Sequence, residues 1–236
     1  SEFRLTESEL LKDKRQLETV VKLLQEFEDV ISVNKEFGHT HLIEHEIKTK
    51  DVPPIKCKVR PINPIMQGKL KEQMENWIDE GIIEPSESPW NFCLLAVPKK
   101  NGKTRWCVDY RRLNEVTLKD SFPLPSIEDN LARLNSSRVF SALDGAGAFH
   151  AVRIKKEDRP KTAFSTPWGL WQFASMPFGL TNAPSTYSRL VQKILEGIPP
   201  EIALAYLDDC LVHSKDFSSH VQHLRRILLA YRKAGL

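Results

Sequence analysis

Long apolar runs are missing from this 236-residue chain. No stretch reaches the eighteen or so apolar residues of a membrane helix, and no leader pattern opens it. Neither a spanning helix nor a secretory leader is therefore expected. Cysteine is scarce. Cys57, Cys93, Cys107 and Cys210 form no C-x-x-C pair and sit among apolar neighbours, which argues against a disulfide scaffold or a zinc ribbon. A reduced intracellular protein with buried thiols is expected. Internal repeats and low-complexity linkers are absent too, which argues against a solenoid. Net charge is small, 34 basic residues against 31 acidic, so the whole-chain sum points only weakly to a polyanionic partner. His39, His41 and His45 lie close together but offer too few convergent ligands for zinc, and surface histidines are expected there. Apolar residues make up 41% and charged residues 28%, a globular composition with enough length for a substantial core.

Helical spacing first shows at Leu17, Val20, Val21, Leu24 and Phe27, after a capping box at Thr6-x-x-Glu9. Pro53, Pro54, Pro61 and Pro64 then enforce extended chain, with Lys56, Lys58 and Arg60 on one face. A helix carrying Met66, Leu70, Met74, Trp77 and Ile78 follows, with Gly81 at its end. Phe92–Val97 and Thr104–Asp109 read as a hairpin turning at Asn101-Gly102. Six bases (Lys99, Lys100, Lys103, Arg105, Arg111, Arg112) crowd this hairpin and its exit against one acid, Asp109. That density fits an anion-binding arm, and it also fits a charged edge that resists aggregation. Ser126 caps a helix to Leu134, Val139–Leu143 is a buried strand, and Lys161–Ser165 and Trp171–Ser175 are strands joined at Trp168-Gly169. A helix with Tyr187, Leu190, Val191, Ile194 and Leu195 on one stripe comes next. The last helix turns Val221, Leu224, Leu228 and Tyr231 inward.

The residues that carry chemistry are acids at strand ends. Ile202–Ala205 and Cys210–Val212 flank Tyr206-Leu207-Asp208-Asp209, so two carboxylates sit at the turn of a tight hairpin. Those four residues alone fit a solvent-facing polar turn equally well. Asp144 changes the balance. It ends the Val139–Leu143 strand, followed by the small residues Gly145-Ala146-Gly147. If the two strands are neighbours, three carboxylates converge, and such clusters need a cation. A pair of Mg²⁺ ions suits them, because Mg²⁺ takes oxygen ligands and phosphate together.

In order along the chain stand Gly81-Ile82-Ile83-Glu84-Pro85-Ser86, Val97-Pro98-Lys99-Lys100, Arg105-Trp106-Cys107-Val108-Asp109-Tyr110-Arg111, Leu113-Asn114, Phe122-Pro123-Leu124-Pro125 and Phe140-Ser141-Ala142-Leu143-Asp144. Lys161-Thr162-Ala163-Phe164, Met176-Pro177-Phe178-Gly179-Leu180-Thr181-Asn182-Ala183-Pro184 and Tyr206-Leu207-Asp208-Asp209 complete the series. In these motifs and their order the chain resembles the reverse transcriptase domain of gypsy-type LTR retrotransposons, relatives of the retroviral enzymes.

The resemblance implies an α+β fold: fingers and palm of a right-hand polymerase, the palm an antiparallel sheet backed by helices in a split β-α-β arrangement. It implies an N-terminal helical segment and linker over 1–50, fingers over about 51–122 and 155–175, and palm over about 123–154 and 176–236. The thumb, the connection region and an RNase H domain are expected outside this sequence. Asp144, Asp208 and Asp209 would bind two Mg²⁺ ions, with Mn²⁺ as a substitute. Lys99 or Lys100, together with Arg105, would hold the triphosphate of the incoming nucleotide. Phe149 would be the steric gate against a ribose 2′-OH, and Phe178 with Gly179 would line the nucleotide pocket.

The implied activity is RNA-directed DNA polymerisation, adding deoxynucleotides to a primer 3′-OH on an RNA or DNA template, within a Pol polyprotein. The implied setting is the cytoplasm, inside virus-like particles, or the nucleus, with no membrane partner. The alternative is a catalytically inactive nucleic-acid-binding or assembly module of a domesticated element. One departure stands out. Gypsy-type elements commonly place a leucine after the first acid and then Gly-Tyr-His-Gln, whereas this chain has Gly145-Ala146-Gly147-Ala148-Phe149-His150-Ala151.

Overall fold

Around the acidic hairpin, the short apolar runs bounded by polar residues do form paired strands, in a computed structural model of the chain. It describes residues 13–31, 38–59, 61–98, 104–123, 132–145, 147–206 and 209–236. In chain order the elements are α1 (Lys14–Glu26), β1 (Glu44–His45), α2 (Pro64–Asp79), β2 (Ile83–Pro85), β3 (Leu94–Pro98), β4 (Thr104–Val108), α3 (Arg111–Val116) and β5 (Val139–Asp144). They continue with β6 (Arg153–Ile154), a 3-10 turn at Arg159–Thr162, β7 (Phe164–Thr166), β8 (Gly169–Phe173), α4 (Ala183–Ile194), β9 (Ala203–Tyr206), β10 (Asp209–Ser214) and α5 (Phe217–Lys233). The chain divides into two compact units. One is drawn from Ser1–Leu42, Phe122–Ala148 and Tyr187–Leu236, the other from Ile43–Ser121 and Phe149–Thr186.

The first unit is built on an antiparallel sheet of order β5-β10-β9. Cross-strand partners share a face, so Cys210, Val212 and Ala203 turn together toward the helices. They join one buried cluster with Leu224, Ile227 and Leu228 of α5 and with Leu23 and Phe27 from the N-terminal helix and its cap. The helix α1 is therefore part of this core. Asp13 caps it, its side chain accepting from the Arg15 amide at 2.9 Å. The capping box at Thr6-x-x-Glu9 lies outside the described residues. The buried face of α1 also differs from the expected stripe. Leu23 and Phe27, four apart, are its fully buried residues, while Leu17, Val20, Val21 and Leu24 are half-buried. The 3.6-residue period leaves several candidate stripes, and the facing helix selects one. Arg232 seals this contact, with its guanidinium 4.2 Å from the Phe27 ring centre and bonded to Asp29 at 2.5 and 2.8 Å.

The second unit holds the sheet β2-β8-β7, the hairpin β3-β4 and the short parallel pair β1-β6. Its core is aromatic: Trp77 of α2 meets Phe173 and Phe164 edge-on, with ring centres 5.6 and 6.5 Å apart. Leu70, Met74 and Trp77 of the expected α2 stripe are buried, whereas Ile78 is exposed at 41%. Ile78 falls in the last turn, where Gly81 at φ 61° redirects the chain and Ile82 enters the core instead. Lys161 and Thr162, expected in a strand, belong to the 3-10 turn, because Pro160 cannot donate to a ladder. The expected surface position of His45 is also corrected. It is 1% exposed, and Nδ1 lies 2.8 Å from Thr186 Oγ1. Desolvation pushes its pKa down to about 4, so the imidazole is neutral in the fold. Most of the expected helix from Ser126 lies outside the described residues.

Candidate active site

Asp144 is the last residue of β5, and Asp209 is the first of β10. The antiparallel register places them directly opposite one another. The same register pairs Ala142 with Leu211 and Phe140 with His213, so this row forms the sheet face that points away from the α5 core. Both aspartates are exposed. Asp209 also pairs with Tyr206 across the hairpin, so it sits inside a strand and not in the turn, as the sequence had suggested.

Among the described residues no lysine or arginine forms an ion pair with either carboxylate. No group of three His, Cys, Asp or Glu gathers there to hold a metal among those residues, and Asp208 lies outside them. Two exposed carboxylates in register offer the hard oxygen donors that suit Mg²⁺, so Asp144 and Asp209 fit the ion. On the reverse face, Cys210 is 1% exposed, and burial pushes its thiol up to about 11. It serves as core and not as a nucleophile.

The second unit holds the expected nucleotide-binding residues Arg105, Phe149, Phe178 and Gly179. Arg105 is exposed on β4, opposite Val97 of β3. Its guanidinium carbon lies 5.7 Å from the ring centre of Phe178. The Phe178 ring meets Phe149 edge-to-face at 5.1 Å and His150 at 5.5 Å. Phe149 is half-buried and Phe178 is 40% exposed. Lys99 and Lys100, with the Asn101-Gly102 turn, lie outside the described residues. Arg105, Phe149, Phe178 and Gly179 are thus brought together.

Sequence reading had passed over the residue that holds this loop. The Asn114 side chain donates to the Gly179 carbonyl at 2.8 Å and accepts from the Thr181 amide at 2.9 Å. Asn182 does the same on the other side, donating to the Leu118 carbonyl at 2.8 Å and accepting from the Asp120 amide at 3.0 Å. Gly179 itself has φ 95°, a conformation open mainly to glycine. The available signal was two asparagines within motif stretches, since asparagine can bond backbone groups on both sides.

Residues 97–236 match the family described as "Reverse transcriptase (RNA-dependent DNA polymerase)". The chain is 39% identical over 199 residues to the Pol polyprotein of transposon opus from Drosophila melanogaster, covering 82% of this chain and 20% of the relative. It is 32% identical over 218 residues to that of transposon gypsy from the same organism, covering 86% and 21%. A crystal structure of the prototype foamy virus protease-reverse transcriptase superposes with a TM-score of 0.85 at 26% identity, covering 94% of this chain and 30% of that one. The chain belongs to the reverse transcriptase family and has the palm-and-fingers fold of a polymerase. It spans about a fifth of the length of the retrotransposon Pol polyproteins it matches.

Proposed function

We propose that this chain is the polymerising part of a retrotransposon Pol polyprotein, adding deoxynucleotides to a primer 3′-OH under the direction of an RNA or DNA template. The observation that carries the reading is the in-register pair Asp144–Asp209 on an exposed sheet face, in a chain of this family. Asp144 and Asp209, with Asp208, would hold two Mg²⁺ ions. Bound there, the ions would supply Lewis acidity for the attacking hydroxyl and charge neutralisation for the pyrophosphate leaving group.

The remaining roles belong to side chains. Arg105, with Lys99 or Lys100, receives the triphosphate, for which a planar guanidinium offers paired donors. Phe149 limits the space beside the sugar, so a 2′-OH is excluded sterically. Base choice rests on Watson–Crick pairing, and protein contacts to the nucleic acid are mainly to phosphate, so binding weakens as salt rises.

Primer extension with deoxynucleotides and ribonucleotides tests this reading. The wild-type chain should extend with deoxynucleotides only, and Phe149→Ala should accept ribonucleotides roughly tenfold better or more. Extension that ignores the sugar in both proteins would remove Phe149 from the gate.

A further inference from the structure

Cys57 and Cys93 line one cleft of about 620 Å³ in the second unit, beside Lys58, Arg111 and Arg112. The polymerase reading uses neither thiol. Both are half-buried, so small reagents can reach them, whereas Cys210 is 1% exposed and belongs to the core. The two sulfurs stand in opposite roles. Cys93 donates to the Lys58 carbonyl at 2.9 Å, so its hydrogen is engaged. Cys57 instead accepts, with Nη1 of Arg112 4.0 Å from its Sγ. We propose that Cys57 is a site of reversible thiol–disulfide exchange, and that the cleft takes an anionic low-molecular-weight disulfide of the glutathione class.

The exchange balances in one step. Cys57 reacts as its thiolate, the nucleophilic form, after its proton has passed to water. The thiolate attacks one sulfur of the disulfide. A new S–S bond forms to Cys57, the old S–S bond breaks, and the departing thiolate takes up a proton. Cys57 is oxidised and the departing half is reduced, so no further oxidant is required. Arg112 is placed to pair with the thiolate while it reacts, and a cation beside the sulfur is a mark of reactive cysteines. Charge selects the disulfide. Three bases, Lys58, Arg111 and Arg112, line the cleft against two acids, Asp109 and Glu115. Asp109 is bonded to Arg111 at 2.9 and 2.7 Å. Lys58 and Arg112 can then receive the carboxylates of a small peptide disulfide. The volume lies within the roughly 300–1,000 Å³ of small-molecule sites. The resulting adduct brings negative charge into a positive cleft, and a thiol reductant removes it.

Intact-mass spectrometry with peptide mapping tests this, on the full chain with oxidised glutathione near neutral pH and at low salt. An adduct should form on Cys57 at least about tenfold faster than on Cys93 or Cys107, and dithiothreitol should remove it. Arg112→Gln keeps the thiol and should slow this adduct about fivefold or more, with a smaller loss toward neutral hydroxyethyl disulfide. A second measurement needs no substitution. In the wild-type chain, added salt should slow exchange with oxidised glutathione and leave exchange with hydroxyethyl disulfide unaltered. Adduct formation requires no polymerase activity, so its outcome is independent of that reading. First modification at Cys93 or Cys107, an adduct rate indifferent to Arg112→Gln, or the same salt response with both disulfides would each overturn the proposal.

Discussion

Asp209 stands directly across from Asp144 on the neighbouring antiparallel strand, and both carboxylates are exposed. Like charges in this position oppose the pairing of the strands by about 0.2–1 kcal/mol. A purely structural sheet would gain by losing one of them. Asp209→Asn is therefore expected to melt no lower than the wild type, and about 1–3 °C higher. Millimolar Mg²⁺ should raise the melting temperature of the wild type more than that of the variant, because binding to the folded state is linked to stability. Scanning calorimetry with and without the ion checks both. A fall of several degrees would make Asp209 a structural residue.

The N-terminal helix gives a second prediction. Phe27 is fully buried between α1 and α5, in the same cluster as Val212 behind the acidic strand. Phe27→Ala should cost about 3–5 kcal/mol, seen as a lower urea midpoint. A loss below about 1 kcal/mol would mean that the helix is dispensable to this unit.

Strand ends and acids were legible because short apolar runs bounded by polar residues are local signals. The chain positions of the acids could be read, and so could the expectation that neighbouring strands would bring them together, but not the register that sets Asp209 opposite Asp144 inside a strand. Long-range choices were not legible. His45 finds its partner in Thr186, 141 positions away, and nothing near His45 announces a buried imidazole. Leu23 was passed over because a helix of apolar residues offers several faces, and α5 decides between them. The Asn114 clamp likewise joins residues 65 and 67 positions apart.

Buried histidines set the response to acid. His220 bridges Ser141 at 2.9 Å and Ser214 at 3.0 Å, and burial together with His223 and His213 lowers its pKa to about 4. His45 is held at about 4 by desolvation. In the unfolded chain both take up a proton near pH 6.5. The folded state prefers the neutral ring, so its stabilising effect is complete above about pH 6.5 and is lost as pH falls toward about 4. Each histidine contributes on the order of 2–3 kcal/mol over that window. Urea midpoints measured between pH 7 and pH 4.5 should fall accordingly. His220→Gln should flatten that dependence, and a slope unchanged by the substitution would contradict the assignment.

Gly179 is a backbone requirement. A Cβ there would meet Tyr110 and the Val108 carbonyl at an ordinary 3.7 Å, so space is available. The cost of Gly179→Ala comes from φ 95° and should be about 1–2 kcal/mol. Because Asn114 bonds the Gly179 carbonyl, the variant should also weaken nucleotide binding by displacing Phe178. Unfolding curves and deoxynucleotide KM values check the two effects separately. A variant as stable as the wild type would show that the loop relaxes to another conformation.

On the proposed reading, Asp144 and Asp209 would hold the metal ions for nucleotidyl transfer. The most direct measurement is Mg²⁺-dependent incorporation of a single deoxynucleotide on a primed RNA template, comparing wild type with Asp144→Asn. Activity should fall by at least about 10³-fold in the variant while its circular dichroism spectrum stays unchanged. Incorporation by Asp144→Asn at the wild-type rate would contradict the account.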